Sequence, residues 1–343
     1  MTTRSELGEG PATVERLLGR AGPAIDAVAR AVRARDVELV VIAARGTSDH
    51  AAIYAQYILG ARNGLPVALA APSLASLYGT APRLHHALVL GISQSGRSPD
   101  VVAVLADARR QGALTVALTN EPASELAAAA EHLVALEAGP ERAVAATKTY
   151  LAEIAVIALL SGALAGDARS RRELAALPAA LRAALGTEAE VERLAGAYAA
   201  EDRVVVLARG FQYATAREWA LKLKELAGVL ADPYSAADFQ HGPIALLEPG
   251  YPVLAVATAG PARAGMTELL ARLRDARVRL LVLSDDPGTL ALGDGVALPA
   301  GVPEWLAPLV AIIPAQLFAY HLARARGLDP EAPRHLTKVT LTR

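Results

Sequence analysis

Two apolar runs near the start of each half of the chain end in the same way. Leu39-Val40-Val41-Ile42-Ala43-Ala44 closes on Arg45-Gly46, and Val204-Val205-Val206-Leu207-Ala208 closes on Arg209-Gly210. Each run is short and rich in β-branched residues, which predicts a buried strand. Neither alternates polar with apolar, as expected where both faces of a sheet are covered. A helical pattern follows each, over 49–62 and 213–228. The repeat predicts a tandem duplication of one unit, with a period too long for a solenoid.

The rest of the chain keeps the alternation. In the first half, strands are expected at Pro66–Ala71, Ala87–Ile92, Leu114–Leu118 and 132–137. Helices are expected between and after them, at 99–111, 122–130 and 146–165. The second half repeats strands at 252–258 and 278–284 and helices at 262–276 and 303–326. Strands alternating with helices predict an α/β fold: two mainly parallel sheets flanked by helices, doubly wound and flavodoxin-like. The expected organisation is a helical segment at 1–36, broken at Gly22-Pro23, a first unit at 37–166, a helical connector at 167–200, a second unit at 201–328 and a tail at 329–343.

Composition excludes several function classes. Of 343 residues 53% are apolar and the net charge is −1, so the chain folds but has no global field for nucleic acid or an anionic membrane. It contains no cysteine, which rules out disulfides, thiolate metal sites and thiol nucleophiles within it. Its histidines show no metal-binding spacing with carboxylates, so neither metal nor cofactor is expected. The apolar stretches 151–165 and 306–320 are interrupted by Glu153, Pro308 and Pro314 and read as core helices, not membrane spans. Residues 1–36 are too polar for a signal, and a cytoplasmic chain is expected.

Only four of the 34 basic residues are lysines: Lys148, Lys222, Lys224 and Lys338. Lysine can lose its proton and form an imine, which arginine cannot. All four fall in segments that other features select. Ligands of parallel α/β folds bind at the carboxyl ends of strands. Two such ends carry small hydroxyls, Gly46-Thr47-Ser48 and Ser93-Gln94-Ser95-Gly96-Arg97-Ser98. Each opens a helix whose N-terminal N–H groups suit a phosphate, although Ser and Thr also cap helices for purely structural reasons. In the second half, Glu218, Lys222 and Glu225 share one helical stripe, a pattern common on solvated faces. The segment Pro233–Pro243 reads as a loop presenting His241 beside Gly242-Pro243. A third candidate is the tail Pro333–Arg343, with Lys338 in a β-branched alternation.

Taken together, these segments resemble the sugar isomerase (SIS) family, and within it the isomerase region of glutamine–fructose-6-phosphate aminotransferase (glucosamine-6-phosphate synthase). The markers are Gly46-Thr47-Ser48, Ser93-Gln94-Ser95-Gly96, Val144-Ala145-Ala146-Thr147-Lys148, Lys222-Leu223-Lys224-Glu225, His241-Gly242-Pro243 and Pro333-Arg334 through Lys338. The resemblance implies that Thr47, Ser48, Ser93, Gln94, Ser95 and Ser98 hold a sugar phosphate, and that Val144 and Ala146 touch the sugar. Ala146 stands where the family usually has Ser. By the same resemblance Glu225 moves a proton between C1 and C2, with Lys222 as its helper. His241 opens the ring from a partner subunit, which implies a homodimer with a shared site, and Lys338 forms an imine with the open-chain ketose. His335 replaces a common Asn. The family's glutaminase domain begins with a cysteine, and this chain has none. The implied activity is therefore glucosamine 6-phosphate deamination to fructose 6-phosphate. The alternatives are an isomerase or deaminase acting on another amino sugar or fructosamine phosphate, and a non-catalytic sugar-phosphate sensor.

Overall fold

The computed structural model describes residues 2–80 and 82–338. The first half contains α1 (Thr3–Gly8), α2 (Gly10–Arg20), α3 (Gly22–Ala34), β1 (Leu39–Ala43), α4 (Thr47–Asn63), β2 (Val67–Leu69), α5 (Ser73–Ser76) and β3 (Ala87–Ile92). It continues with α6 (Pro99–Arg110), β4 (Leu114–Thr119), α7 (Glu125–Ala129), β5 (His132–Ala135) and α8 (Lys148–Ala165). Then come α9 (Ala168–Leu185), α10 (Glu188–Ala197), β6 (Arg203–Ala208), α11 (Tyr213–Ala227), β7 (Leu230–Ser235) and α12 (Ala236–Gln240). The last elements are β8 (Pro252–Ala257), α13 (Arg263–Asp275), β9 (Arg279–Ser284), α14 (Pro287–Leu290), β10 (Asp294–Ala297) and α15 (Ala307–Ala325).

Among the described residues, packing divides the chain into two compact units. The first gathers residues 12–141, 148–175 and 337–338; the second gathers 2–11, 142–147 and 176–336. The chain thus crosses between units more than once. Its first helix and the short strip 142–147 both belong to the second unit.

In the first unit the sheet order is β2-β1-β3-β4-β5, all parallel. Successive side chains alternate between faces. Val41, Ala43, Val89 and Ala117 pack with Val101, Leu105 and Leu126 of α6 and α7. Val40, Ile42, Leu88 and Leu90 are equally buried on the other face. Helix α8 lies against α3 and α4 and is buried nearly all round, which explains an apolar helix with no polar stripe.

The second unit repeats the plan. Its order β10-β9-β8-β6-β7 becomes that of the first sheet when counted from β6, and all its pairs are parallel. Both sheets have the flavodoxin-type order, with a switch point between the first and third strands. Val205, Leu207, Val253, Ala255 and Val282 pack on Leu269, Leu270 and Leu273 of α13. On the other side α11 packs against α15, with the Trp219 and Phe318 rings edge-on and their centroids 5.6 Å apart.

Several boundaries differ from expectation. Three helices occupy residues 3–34. The segment expected as a loop at 233–243 begins inside strand β7. Pro233 is tolerated there because β7 pairs only with β6 and is an edge strand. The short edge strand β10 carries no apolar run and was not legible. Helix α8 and the stretch Glu304–Ala325 are long and apolar enough to cross a membrane, but both are mostly buried within the protein. The expected β-branched alternation of the tail falls largely outside the described residues.

Trp219 is fully buried, and it fixes α11 on α15. Replacing Trp219 with Ala should lower unfolding free energy by about 3–5 kcal/mol in chemical denaturation.

Candidate active site

The first unit presents both hydroxyl loops at its switch point. The loop 46–48 follows β1 and the loop 93–98 follows β3, and these strands are direct neighbours, with Ala43 paired to Gly91. Gly46 takes φ 56° and opens α4. Gly96, at φ 61°, has no room for a side chain, since a Cβ there would lie 2.1 Å from Ser124 Oγ. The second loop is braced from within. Ser93 Oγ accepts from Gly96 N–H at 3.2 Å and lies 3.4 Å from Ser98 Oγ, and Ser95 Oγ accepts from Arg97 N–H at 3.4 Å. The Gln94 carbonyl accepts from Asn120 N–H and Thr119 Oγ1.

Two acids that the sequence did not single out, Asp100 and Glu153, hold the first loop. Arg45, from the first loop, donates through Nε to Asp100 Oδ2 at 2.7 Å, and Asp100 lies at the start of α6 with almost no exposure. Glu153, read only as an interruption of an apolar run, accepts from Ser48 Oγ at 2.7 Å. The Ser48 hydroxyl proton is therefore directed inward, toward Glu153. Half-buried Thr47 lies beside it at the helix N-terminus.

The switch point of the second unit is built differently. Its loops carry no serines. Gln212 Nε2 donates to Thr258 Oγ1 at 3.1 Å, and the Glu304 carboxylate lies directly against Gly260. Burial pushes the Glu304 carboxyl above its ordinary value. The two halves thus share a fold and differ in the side chains at this strand end.

On α11 the expected solvated stripe is instead buried. Glu218 and Lys222 have zero exposure, with Lys222 Nζ 3.3 Å from Glu218 Oε1 and 2.5 Å from Glu225 Oε2. Burial pulls the Lys222 ammonium toward the neutral form, but the two carboxylates outweigh it and hold the pKa above its ordinary value. Tertiary packing of α11 buries Glu218 and Lys222, which helical spacing does not reveal. Glu225 is only partly covered and lines a cavity of about 450 Å³ with Lys224, Gly228, Asp329, Arg334 and Leu336. Partial burial lowers the Lys224 pKa, opposed by Asp232 and aided by Arg217.

The other candidates are placed as follows. Val144 and Ala146 are the half-exposed members of the strip 142–147, alternating with buried Ala143 and Ala145. His241 ends α12 at the surface and is not among the residues lining the Glu225 cavity. His335 adopts φ 60°, a left-handed conformation in which Asn, Asp and His are all enriched, so it can take the place of Asn there. Lys338 belongs to the first unit, where its Nζ is 2.9 Å from Glu141 Oε2. Glu141 is fully buried on its side-chain atoms and also accepts from Thr149 N–H and Oγ1, at 3.1 and 2.7 Å. A lone glutamate preceding the strip gave no signal in the sequence.

The SIS domain pattern matches residues 34–161 and again 197–326. The chain belongs to the SIS family. It is 36% identical over 316 residues to glutamine–fructose-6-phosphate aminotransferase [isomerizing] of Gloeobacter violaceus, covering 88% of this chain and 52% of that protein. The chain thus spans about half the length of the curated relatives it matches. Among solved structures, a Silicibacter pomeroyi chain described as a phosphosugar isomerase is 36% identical, with a TM-score of 0.87 over 96% of this chain and 99% of that one. Glucosamine-6-phosphate deaminase of Thermotoga maritima is 20% identical with a TM-score of 0.78 over 99% of each chain, a likeness of fold alone. The two SIS units are those that the Arg-Gly repeat predicts.

Lys222 neutralises a buried acid, so Lys222→Met should cost about 3–5 kcal/mol of stability by removing the ammonium that faces the Glu218 carboxylate. Because the Lys222 pKa is raised on folding, this gap is complete from neutral pH up to the ordinary lysine value of 10.5 and narrows as pH rises through the folded value. Denaturant titration of both proteins across that range checks it.

Proposed function

We propose that this SIS protein is an amino-sugar phosphate isomerase and deaminase, converting glucosamine 6-phosphate and water to fructose 6-phosphate and ammonia. The observation that carries the reading is the Lys222–Glu225 pair. It places a carboxylate in a cavity wall, held from behind by a fully buried ammonium. A carboxylate so fixed can take and return a proton without wandering, which general acid–base catalysis requires.

In this reading the substrate phosphate rests on Thr47, Ser48, Ser93, Gln94, Ser95 and Ser98, with the Ser48 hydroxyl turning its proton from Glu153 to the phosphate when substrate binds, and Val144 and Ala146 border the sugar. His241, supplied by the partner in a homodimer, assists ring opening. Glu225 removes the C2 proton of the open-chain aldose amine and the C1 oxygen gains a proton, giving an enolamine. Glu225 then returns a proton to C1, leaving a ketimine at C2, with Lys222 balancing charge throughout. Water adds to C2 and ammonia leaves. Lys338 offers an amine for an imine with the open-chain ketose. Its ion-paired ammonium must first give up a proton, and Glu141 is the base in contact.

A second reading keeps the site and changes the sugar. It rests on Ala146, which has no hydroxyl with which to select a sugar hydroxyl. Turnover of galactosamine and fructosamine 6-phosphates above that of glucosamine 6-phosphate would favour it.

The Glu225→Gln variant tests the assigned chemistry. Turnover should fall by about 10²–10⁴-fold, while fructose 6-phosphate still binds. Unchanged turnover, or binding lost together with turnover, contradicts the role.

A further inference from the structure

We infer that Glu6, on the first helix, is a positioning residue for the sugar-contacting strip 142–147. The inference rests on the proposed function, which gives that strip its contact with substrate.

Helix α1 turns its buried side into the second unit. Thr3 and Glu6 have no exposure. One Glu6 oxygen accepts from Arg142 N–H at 2.6 Å and the other from Ala143 N–H at 3.1 Å. A single carboxylate thus clamps two successive peptide groups immediately before Val144. The strip has no regular secondary structure of its own, and outside a helix or ladder its N–H groups need another acceptor. Charge-assisted bonds from a fixed carboxylate are shorter and stronger than neutral ones, and two of them define the peptide orientation.

The helix is itself anchored. Thr3 donates through N–H and Oγ1 to the Glu331 carboxylate at 2.8 to 2.9 Å. Arg4 forms a two-bond pair with Glu188 of α10, which also lies 3.1 Å from His321 Nε2 on α15. Glu331 sits between Asp329 and Ala332, both in the wall of the Glu225 cavity. Helix α1 therefore binds the strip through Glu6 and a cavity-wall segment through Thr3, and both contacts lie within one unit. A helix of only six residues that merely covered a core would need neither.

Glu6 touches the strip backbone, so its loss should act on the sugar and spare the phosphate. In the full chain, Glu6→Gln is expected to weaken fructose 6-phosphate binding by about tenfold or more through a displaced strip. It should leave inorganic phosphate binding unchanged and speed amide exchange at Arg142 and Ala143. Glu6→Asp, which keeps the carboxylate, should recover part of the affinity. If Glu6→Gln does not fold, Thr3→Val reports on the same device, with a smaller loss of the same selectivity. Unchanged fructose 6-phosphate affinity in a folded variant overturns the inference. So does an equal loss for sugar phosphate and inorganic phosphate, which would mark a structural role. A wild-type chain that binds phosphate but no sugar phosphate overturns the proposed function, whereas normal wild-type binding with an indifferent Glu6→Gln overturns this inference alone.

Discussion

A lysine ammonium with no exposure, held between two carboxylates three and four residues away, is the constraint around which the second SIS unit is arranged. Moving such a charge out of water costs several kcal/mol unless its partners are near and well oriented. Glu218 lies equally deep and Glu225 only partly so. The deep partner secures the ammonium, and the shallow one faces the cavity. The same helix, α11, packs against α15 through the Trp219 and Phe318 rings. Local helix geometry, core packing and a carboxylate at a cavity wall thus meet on one helix.

Duplication explains the rest of the plan, and divergence explains its use. Each sheet has a switch point after an Arg-Gly turn, where loops from neighbouring strands diverge and a ligand can enter. In the first unit this end is lined by hydroxyls and peptide groups, braced by Arg45–Asp100 and by Ser48–Glu153. In the second, Glu304 lies against the corresponding glycine-bearing loop. One fold therefore carries hydroxyl-rich loops in one copy and loops without serine, closed on by Glu304, in the other.

Much of this was legible in the sequence because it depends on local pattern. Apolar β-branched runs such as Ala87–Ile92 mark central strands, and Pro99 marks the helix that follows. Where tertiary context decides, the sequence misleads. Glu218, Lys222 and Glu225 have the spacing of a solvent-facing stripe, and tertiary packing buries the first two. Pro233 looks like a breaker, yet it sits within an edge strand. Asp100, Glu141 and Glu153 are single acids with no spacing to advertise them. Each acquires its partner from a segment distant in sequence: Arg45, Lys338 and Ser48 respectively. The motifs of the SIS family supplied the candidate residues, and the structure supplies the contacts that hold them.

Release of ammonia from glucosamine 6-phosphate by the purified chain, with fructose 6-phosphate measured alongside, tests the central claim most directly. The account predicts both products in equal amounts with no glutamine present. Binding of glucosamine 6-phosphate without release of ammonia would contradict it and leave the chain with another sugar phosphate or with a sensing role.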